Sequence, residues 1–493
     1  MTLDQLNGNS LIGGVWNQGV GPSFESVNPS DESPLWLGHM SSSEQVQAAF
    51  VSAKAAFPAW SRTPLEDRLA CVQRFKNLAL ENRVFMAELI ARETGKLIWD
   101  ANGEAGALAS KVDISAEAYA NRTGDDKRDV AFGRAELQHR AHGVMAVLGP
   151  YNFPAHLPNG QIIPALLAGN TIVFKPSELT PAVGEALIRL YQAAGFPDGV
   201  INLVQGGRNV GVSILDSKNL DGLLFTGSAN TGTFIHKHFG GRPDIILALE
   251  MGGNNPLIIW ETEDTQAAAS LAVQSAFASS GQRCTCARRI ILPTGAAGDG
   301  VFSEILTQTK ALKVGAWDDD SANIGPLVSA TTAVQVISQA ERLLALGATP
   351  LLAAQLSSKG DAFVQPAIYD VTGCDVPDAE IFGPVLQIIR VDDWDAAITT
   401  ANDTRFGLAA GLISDNHALW QGFRRDIRAG VVNFNRPTTG AASFLPFGGP
   451  GFSGNHNPGA YYAADFCAWP MSSQIADAPQ YLPLQGPQHG SKS

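Results

Sequence analysis

The sequence predicts an α/β protein built on open parallel sheets and divided into more than one domain. Three observations carry that expectation. Short β-branched or apolar runs alternate with stretches long enough for helices. The alternation begins after Arg140 and starts again after Gly252. The 493 residues also exceed what one hydrophobic core usually serves.

The elements follow in chain order. In "SSSEQVQAAFVSAKAAF", Ser42 precedes Gln45 by three positions, the pattern of a capping box. Val46, Ala49, Phe50 and Ala53 then recur at helical spacing. Residues 65–94 read as helix, with Leu69, Val72, Phe75 and Leu78 on one face, so the first third is expected to be largely helical. Residues 129–143, "DVAFGRAELQHRAHG", alternate without a helical period and read as an extended hairpin or arm. "VMAVLGP", "NTIVFKPSE", "GVINLVQGG", "GLLFTGS" and "IILALEMGG" each end in turn residues and read as strands of a covered parallel sheet, with a helix over 181–194. A second series follows: "NPLIIW", a helix over 265–278, "RRIILP", "VLQIIRV", "LAAGLISD" and "VVNFN". The tail after Ala476 is rich in Pro, Gln and Gly and is expected to fray.

Composition narrows the function classes. Hydrophobic residues make up 45% and charged residues 16%, ordinary for a folded globular chain. A net charge of −13 argues against a nucleic-acid partner, which calls for a basic face. No apolar run approaches the roughly 20 residues that span a bilayer, so no membrane partner is expected. The N-terminus has neither the basic nor the apolar stretch of a secretory signal, and a cytoplasmic location with free thiols is the expectation.

The stretch "SSGQRCTCARR" sets Cys284 and Cys286 one residue apart among arginines. No second cysteine pair or nearby histidine completes a zinc site, so no metal is expected, and the two thiols are too close for an easy mutual disulfide. Cys284 follows an apolar helix and a Ser-Ser-Gly turn, which implies partial exposure, and Arg283 beside it would favour a thiolate. The alternative for either cysteine is a small buried apolar residue, and Cys286, at the start of a strand, suits it. Glu250 ends the apolar run "IILALE", where a carboxylate is out of place in a core but well placed for a ligand beyond the strand end; a capping or solvated glutamate is the other reading. Asn152 in "GPYNFP" and Lys175 and Glu178 in "FKPSE" follow strands at the same kind of edge, as ordinary turn residues also would. The glycines of "FTGSANTG" could let phosphates approach backbone N–H groups, although the stretch lacks the Gly-x-Gly-x-x-Gly fingerprint.

In this order the pieces resemble the aldehyde dehydrogenase superfamily: "PYNFP", "FKPSE", "FTGS", "LEMGGNNP", "GQRC", "EIFGPV" and "PFGGPGFSG", spread over 149–454. Within it, "GSANTG", "GQRCTCARR" and "FNRPTTGAASFLPFGGPGFSGNHNPGAYYAADFC" are similar to the branch that serves arginine breakdown through succinylated intermediates. The resemblance implies an NAD-binding domain over 1–128 and 144–250, a catalytic domain over 251–465, and an oligomerisation arm from 129–143 and 466–485. It makes Cys284 the nucleophile, Asn152 an oxyanion donor and Glu250 the general base. It implies NAD contacts from Lys175, Glu178, the run Gly227, Ser228, Ala229, Asn230, Thr231 and Gly232, and Glu380 with Phe382. A homodimer or dimer of dimers is implied, and a small aldehyde as substrate. In that branch the aldehyde is N-succinylglutamate 5-semialdehyde. Other readings stay open: another ω-oxo acid such as glutamate semialdehyde, a CoA-acylating reaction, or a non-catalytic protein, which the intact Asn152, Glu250 and Cys284 oppose. An anionic substrate would need a local cation against the net −13, and Arg283 and Arg436 border the motifs. The chain departs from many relatives at Tyr151, where they have Trp, and at Asn455-His456-Asn457, where they place an acid.

Overall fold

The computed structural model describes residues 1–479 and 481. Residue 480 and residues 482–493 lie outside the described residues, and with them most of the tail expected to fray and the end of the expected arm. Two seven-stranded sheets form the body, and a three-stranded sheet stands apart.

The first sheet centres on Val144–Leu148. Thr171–Lys175 and Ile201–Leu203 extend it to one side, Gly222–Gly227 and Ile246–Met251 to the other, all in parallel. The chain thus reverses direction of growth between Val144–Leu148 and Gly222–Gly227. Loops leaving the two strands there diverge and open a crevice at their carboxyl ends. Helices cover both faces. Ser43–Trp60 packs on one, and Ile98–Arg122, His156–Ala168 and Pro181–Ala193 on the other. That double cover explains why strand residues such as 144–147 and 171–175 are buried without alternation. The capping box is present: Ser42 Oγ accepts from Gln45 N at 3.2 Å, and Gln45 Oε1 from Ser42 N at 3.1 Å.

The second sheet runs Ala367–Asp370, Val385–Val391, Arg289–Pro293, Pro256–Ile259, Ala409–Ile413 and Val431–Phe434 in parallel. An antiparallel strand, Thr349–Leu352, closes one edge. The ten strands read from the sequence are all present. The arm pairs Gly133–Ala141 with Asp126–Val130 on one side and Ala468–Ile475 on the other, antiparallel. The two segments expected in an arm therefore pair with each other within one chain.

The N-terminal third differs from its expectation. Before the first helix the chain forms strands: Ser10–Ile12 and Val15–Asn17 join the first sheet antiparallel, and Ser23–Val27 pairs with Pro34–His39. The sheets are therefore mixed at their edges. These strands are three to six residues long, too short to show a period. The helix read over 65–94 is two, Leu65–Glu81 and Arg83–Thr94, broken at Asn82.

Glu185 ties the N-terminal strands to the body. Its fully buried carboxylate accepts from Asn7 N, Gly8 N and Trp36 Nε1, and pairs with Arg189 Nη2 at 2.7 Å. Glu185→Ala strips all four donors of their acceptor. The expected loss is about 3–5 kcal/mol, read as a lower denaturation midpoint; an unchanged midpoint would mean that the N-terminal segment is held by apolar contacts alone.

Candidate active site

A cavity of about 830 Å³ runs along the carboxyl ends of the first sheet and reaches the second. Asn152, Lys175, Glu178, Glu250, Cys284 and Glu380 all line it. Residues separated by up to 228 positions (380 less 152) in sequence are thus brought to one space.

The turn that carries Cys284 is irregular. Helix Thr265–Phe277 ends, and Ser279, Ser280 and Gly281 follow at φ 51°, 57° and 73°. Left-handed backbone at the two serines costs about 1–2 kcal/mol each, so the turn needs outside support. Ser280 Oγ donates to Gly325 O at 2.7 Å, and Gln282 Oε1 accepts from Val328 N at 3.1 Å. Asn255 Nδ2 donates to the carbonyls of Cys284 and Cys286 at 2.7 and 2.8 Å. Asn152 Nδ2 donates one hydrogen to Gln282 O at 3.0 Å, which leaves its second free beside Cys284.

Cys284 keeps partial exposure to the cavity, as the turn implied, whereas Cys286 is fully buried. All five cysteines are free thiols. Cys284 sits deep in its recess, and burial, with help from Glu380 and Glu250, pushes its thiol up to about 12. The expected thiolate-favouring role of Arg283 does not hold. Its guanidinium turns to Asp100 on helix Ile98–Arg122, at 2.7 Å, and to Ser279 Oγ at 2.8 Å. Asp100 also accepts from Ser279 Oγ. An acid within reach claims the cation, and Arg283 pins the turn.

Glu250 is 8% exposed at the end of its strand, and burial raises its carboxyl to about 7 against the pull of Lys111. Lys111, 3% exposed on helix Ile98–Arg122, lies over Gly160 and is itself lowered by burial to about 8. The unusual Asn455 and Asn457 have a visible purpose. Ile246–Met251 is an edge strand, and Asn455 accepts from Leu249 N at 2.9 Å while both asparagines donate to Leu247 O. Side-chain amides thus act as a neighbouring strand for the one that carries Glu250. Gly459 then packs directly on the Glu250 carboxyl.

At the far end, Lys175 Nζ donates to Pro176 O at 2.8 Å and lies 3.5 Å from Glu178 Oε2. Ser228 caps helix Ala229–His238, its Oγ accepting from Thr231 N at 3.2 Å. Gly227, Ser228, Ala229, Asn230 and Thr231 line the cavity. Gly232 faces the other way, where an added Cβ would lie 2.2 Å from Met251 Sδ; it permits helix–strand packing. A buried lysine beside a carboxylate and a helix N-terminus with free N–H groups are the donors that ribose hydroxyls and a pyrophosphate require. Glu380 and Phe382 line the cavity near Cys284, and Tyr151 packs edge-on to Phe382 at 6.0 Å. Neither Arg283 nor Arg436 is among the lining residues; Arg436 is exposed on the loop after Val431–Phe434.

The sequence of the aldehyde dehydrogenase family matches residues 16–469. The chain belongs to the aldehyde dehydrogenase family. It is 52% identical over 465 residues to the N-succinylglutamate 5-semialdehyde dehydrogenase of Paraburkholderia xenovorans (strain LB400), covering 94% of this chain and 96% of the relative. Its fold is similar to that of an NADP-dependent enzyme of E. coli, with TM-score 0.89 and 29% identity over 96% and 99% of the two chains. It is also similar to a variant betaine aldehyde dehydrogenase of Staphylococcus aureus solved with NAD+, with TM-score 0.92 and 25% identity over 98% and 99%. Aldehyde dehydrogenases use NAD or NADP.

Lys111, Asn255 and Asp100 carry this aldehyde dehydrogenase site without having been singled out from sequence. Asn255 stood inside the quoted "LEMGGNNP"; Lys111 and Asp100 lie on a helix whose polar residues look like any solvated face. Gly459→Ala tests how tightly Glu250 is held, since the new methyl carbon would lie 1.7 Å from Oε1. If the carboxyl takes part in turnover as an acid or base, turnover should fall by about 10²-fold or more, with little change in melting temperature. Turnover within twofold of the parent would show that the carboxyl has room to move.

Proposed function

We propose that this protein oxidises N-succinyl-L-glutamate 5-semialdehyde to N-succinyl-L-glutamate with NAD, a step of arginine breakdown. The observation that carries the substrate is the 52% identity, over nearly the whole chain, to a relative of that name. The direct test is steady-state oxidation of an aldehyde panel with NAD and NADP. The succinylated semialdehyde should exceed glutamate semialdehyde and simple aliphatic aldehydes in kcat/KM.

Cys284 gives its thiol proton to water, its Sγ attacks the aldehyde carbon, and the carbonyl π pair moves to oxygen to form an oxyanion. The free hydrogen of Asn152 Nδ2 and the Cys284 N–H are assigned as the donors that meet it; losing one such donor costs about 10²–10³ in rate. NAD, when bound, supplies the acceptor for the hydride that leaves this adduct, and a thioester on Cys284 remains. Glu250 takes a proton from the water that attacks the thioester, and the acid product departs with Cys284 restored. A carboxyl near 7 suits that work, because its basic form is populated at neutral pH without being too weak a base. The presence of Glu250 favours hydrolysis over transfer to CoA.

Lys175 and Glu178 are assigned to the adenosine ribose, Gly227 to Thr231 to the pyrophosphate, and Glu380 with Phe382 to the nicotinamide ribose. Glu178, about half exposed, would repel a 2′-phosphate and so favours NAD. The domain division follows the sheets: 1–128 with 144–250 for NAD, 251–465 for catalysis. Among the described residues the arm sheet has no strand paired to its outer edges, and Trp469 is exposed, features that suit pairing with a second copy.

Glu250→Gln should release a burst of one equivalent of NADH (about one per site) and then stall with a thioester on Cys284. In the parent, hydrolysis of that thioester should speed up as pH rises through about 7, where the Glu250 carboxyl loses its proton. A mutant that turns over without a burst would remove Glu250 from this role.

The semialdehyde carries a carboxylate on its succinyl group and another on the α-carbon. Arg283 is committed to Asp100, which leaves Arg436 as the proposed carboxylate anchor. Asn435, tied to Ser414 N at 2.8 Å, fixes the strand end from which Arg436 projects. Arg436→Ala should lower kcat/KM for the succinylated substrate by about 10–10³-fold, the worth of a charged hydrogen-bonded pair, and leave a neutral aldehyde nearly unaffected. Parallel losses for both would mean that Arg436 holds the loop.

A further inference from the structure

Arg288 is among the largest fully buried side chains of the protein, yet no step above uses it. It follows the nucleophile by four positions and stands behind the cavity wall. Its Nη1 donates to Gly281 O at 2.7 Å and its Nη2 to Arg283 O at 3.0 Å. The same Nη2 lies 3.1 Å from Glu380 Oε1. Its guanidinium carbon is 5.2 Å from the centre of the Phe382 ring. One fork therefore grips the backbone on both sides of Gln282 and also the carboxylate of Glu380.

Charge makes the arrangement consequential. The groups that face Cys284 are Glu380, Glu250, Cys286 and Arg288; the first three disfavour a thiolate and Arg288 alone favours it. Arg283, though adjacent in sequence, is paired with Asp100, and Lys111 faces Glu250. A guanidinium cannot give up its proton in a protein, so its charge is permanent.

We propose that Arg288 is a positioning residue for the nucleophile: it clamps the turn that carries Cys284 and offsets the Glu380 carboxylate beside it. The assignment of Glu380 to the nicotinamide ribose belongs to the reading above, and the experiment separates the two. The readout is alkylation of Cys284 by iodoacetamide without cofactor, in which the thiolate displaces iodide and its proton goes to water. Peptide mass spectrometry follows the rate across pH 7–9.5 (about the accessible range below a raised thiol). A Cys374→Ser background removes the other partly exposed thiol.

Arg288→Met should slow alkylation at fixed pH by about tenfold, the effect of moving the profile up by about one unit. Arg288→Lys keeps the charge and should recover part of that loss. Glu380→Gln should speed alkylation, because the anion goes and Arg288 is no longer neutralised. A clamp with no electrostatic part would move Arg288→Met and Glu380→Gln in the same direction, since each breaks the same pair. Folding is checked by circular dichroism and melting; if Arg288→Met does not fold, the Lys and Gln variants decide. Wild-type alkylation in a folded Arg288→Met, no recovery with Lys relative to Met, or slower alkylation in Glu380→Gln would each overturn the proposal. The KM for NAD in Glu380→Gln reports separately: an unchanged value would overturn the ribose assignment and leave the thiol result standing.

Discussion

Buried, irregular backbone has to find hydrogen-bond partners outside any helix or sheet, and the stretch from Ser279 to Ala287 is where this protein meets that demand. Asn152 comes from the loop after Val144–Leu148, Asn255 from the link between sheets, Val328 and Gly325 from a distant loop, and Arg288 from the turn's own exit. Asp100 adds an ion pair from a helix of the N-terminal region. Each support originates in a different part of the chain. Cys284 is therefore in place only when the whole molecule is assembled, and the left-handed serines can persist because so many contacts over-determine them.

The same recess crowds like charges. Glu250, Glu380 and the thiol of Cys284 are all raised by burial, which disfavours their charged forms. Lys111 and Arg288 oppose this from behind, one facing each carboxylate. The resting thiol is consequently protonated, and the carboxyl of Glu250 sits near neutrality. A site of this kind keeps its nucleophile quiet until a change in its surroundings lowers the demand for a proton. The two carboxyls differ in their partners, since Glu250 meets a lysine whereas Glu380 is hydrogen-bonded by a guanidinium.

The sheet strands were legible because each is a compact apolar run closed by turn residues, a pattern that covered parallel strands impose. The short strands before Ser42 were not, since runs of three to six residues show little alternation, and the pairing that joins them to the body, Leu11 with Leu203, lies far along the chain. Cys284, Glu250 and Asn152 were legible because each sits at a strand or helix end in a quoted motif. Arg283 was misread for an instructive reason. Proximity in sequence suggested that it would act on Cys284, but successive side chains on a turn diverge, and Asp100 was invisible until the helix was placed. Gly232 shows the reverse: a motif glycine whose purpose is packing against Met251 rather than approach to a ligand.

The short link between the sheets shows how these demands converge. Ile246–Met251 ends the first sheet with Glu250, and Pro256–Ile259 begins in the second, so only 252–255 connect them. A Cβ on Gly252 would lie 1.7 Å from Glu380 Oε2, and one on Gly253 2.3 Å from Asn255 Oδ1. The link must be bare to pass beneath one carboxylate and leave Asn255 free to bind the turn. Asn455 and Asn457, with a backbone bridge between Glu250 and Gly454, then hold the edge strand on its outer side. Movement of that strand would carry Glu250 one way and, through the link, Asn255 and the turn of Cys284 another. The paired asparagines at 455 and 457, which look like a departure from the family pattern, thus brace the strand that carries Glu250 by its backbone at Leu247 and Leu249.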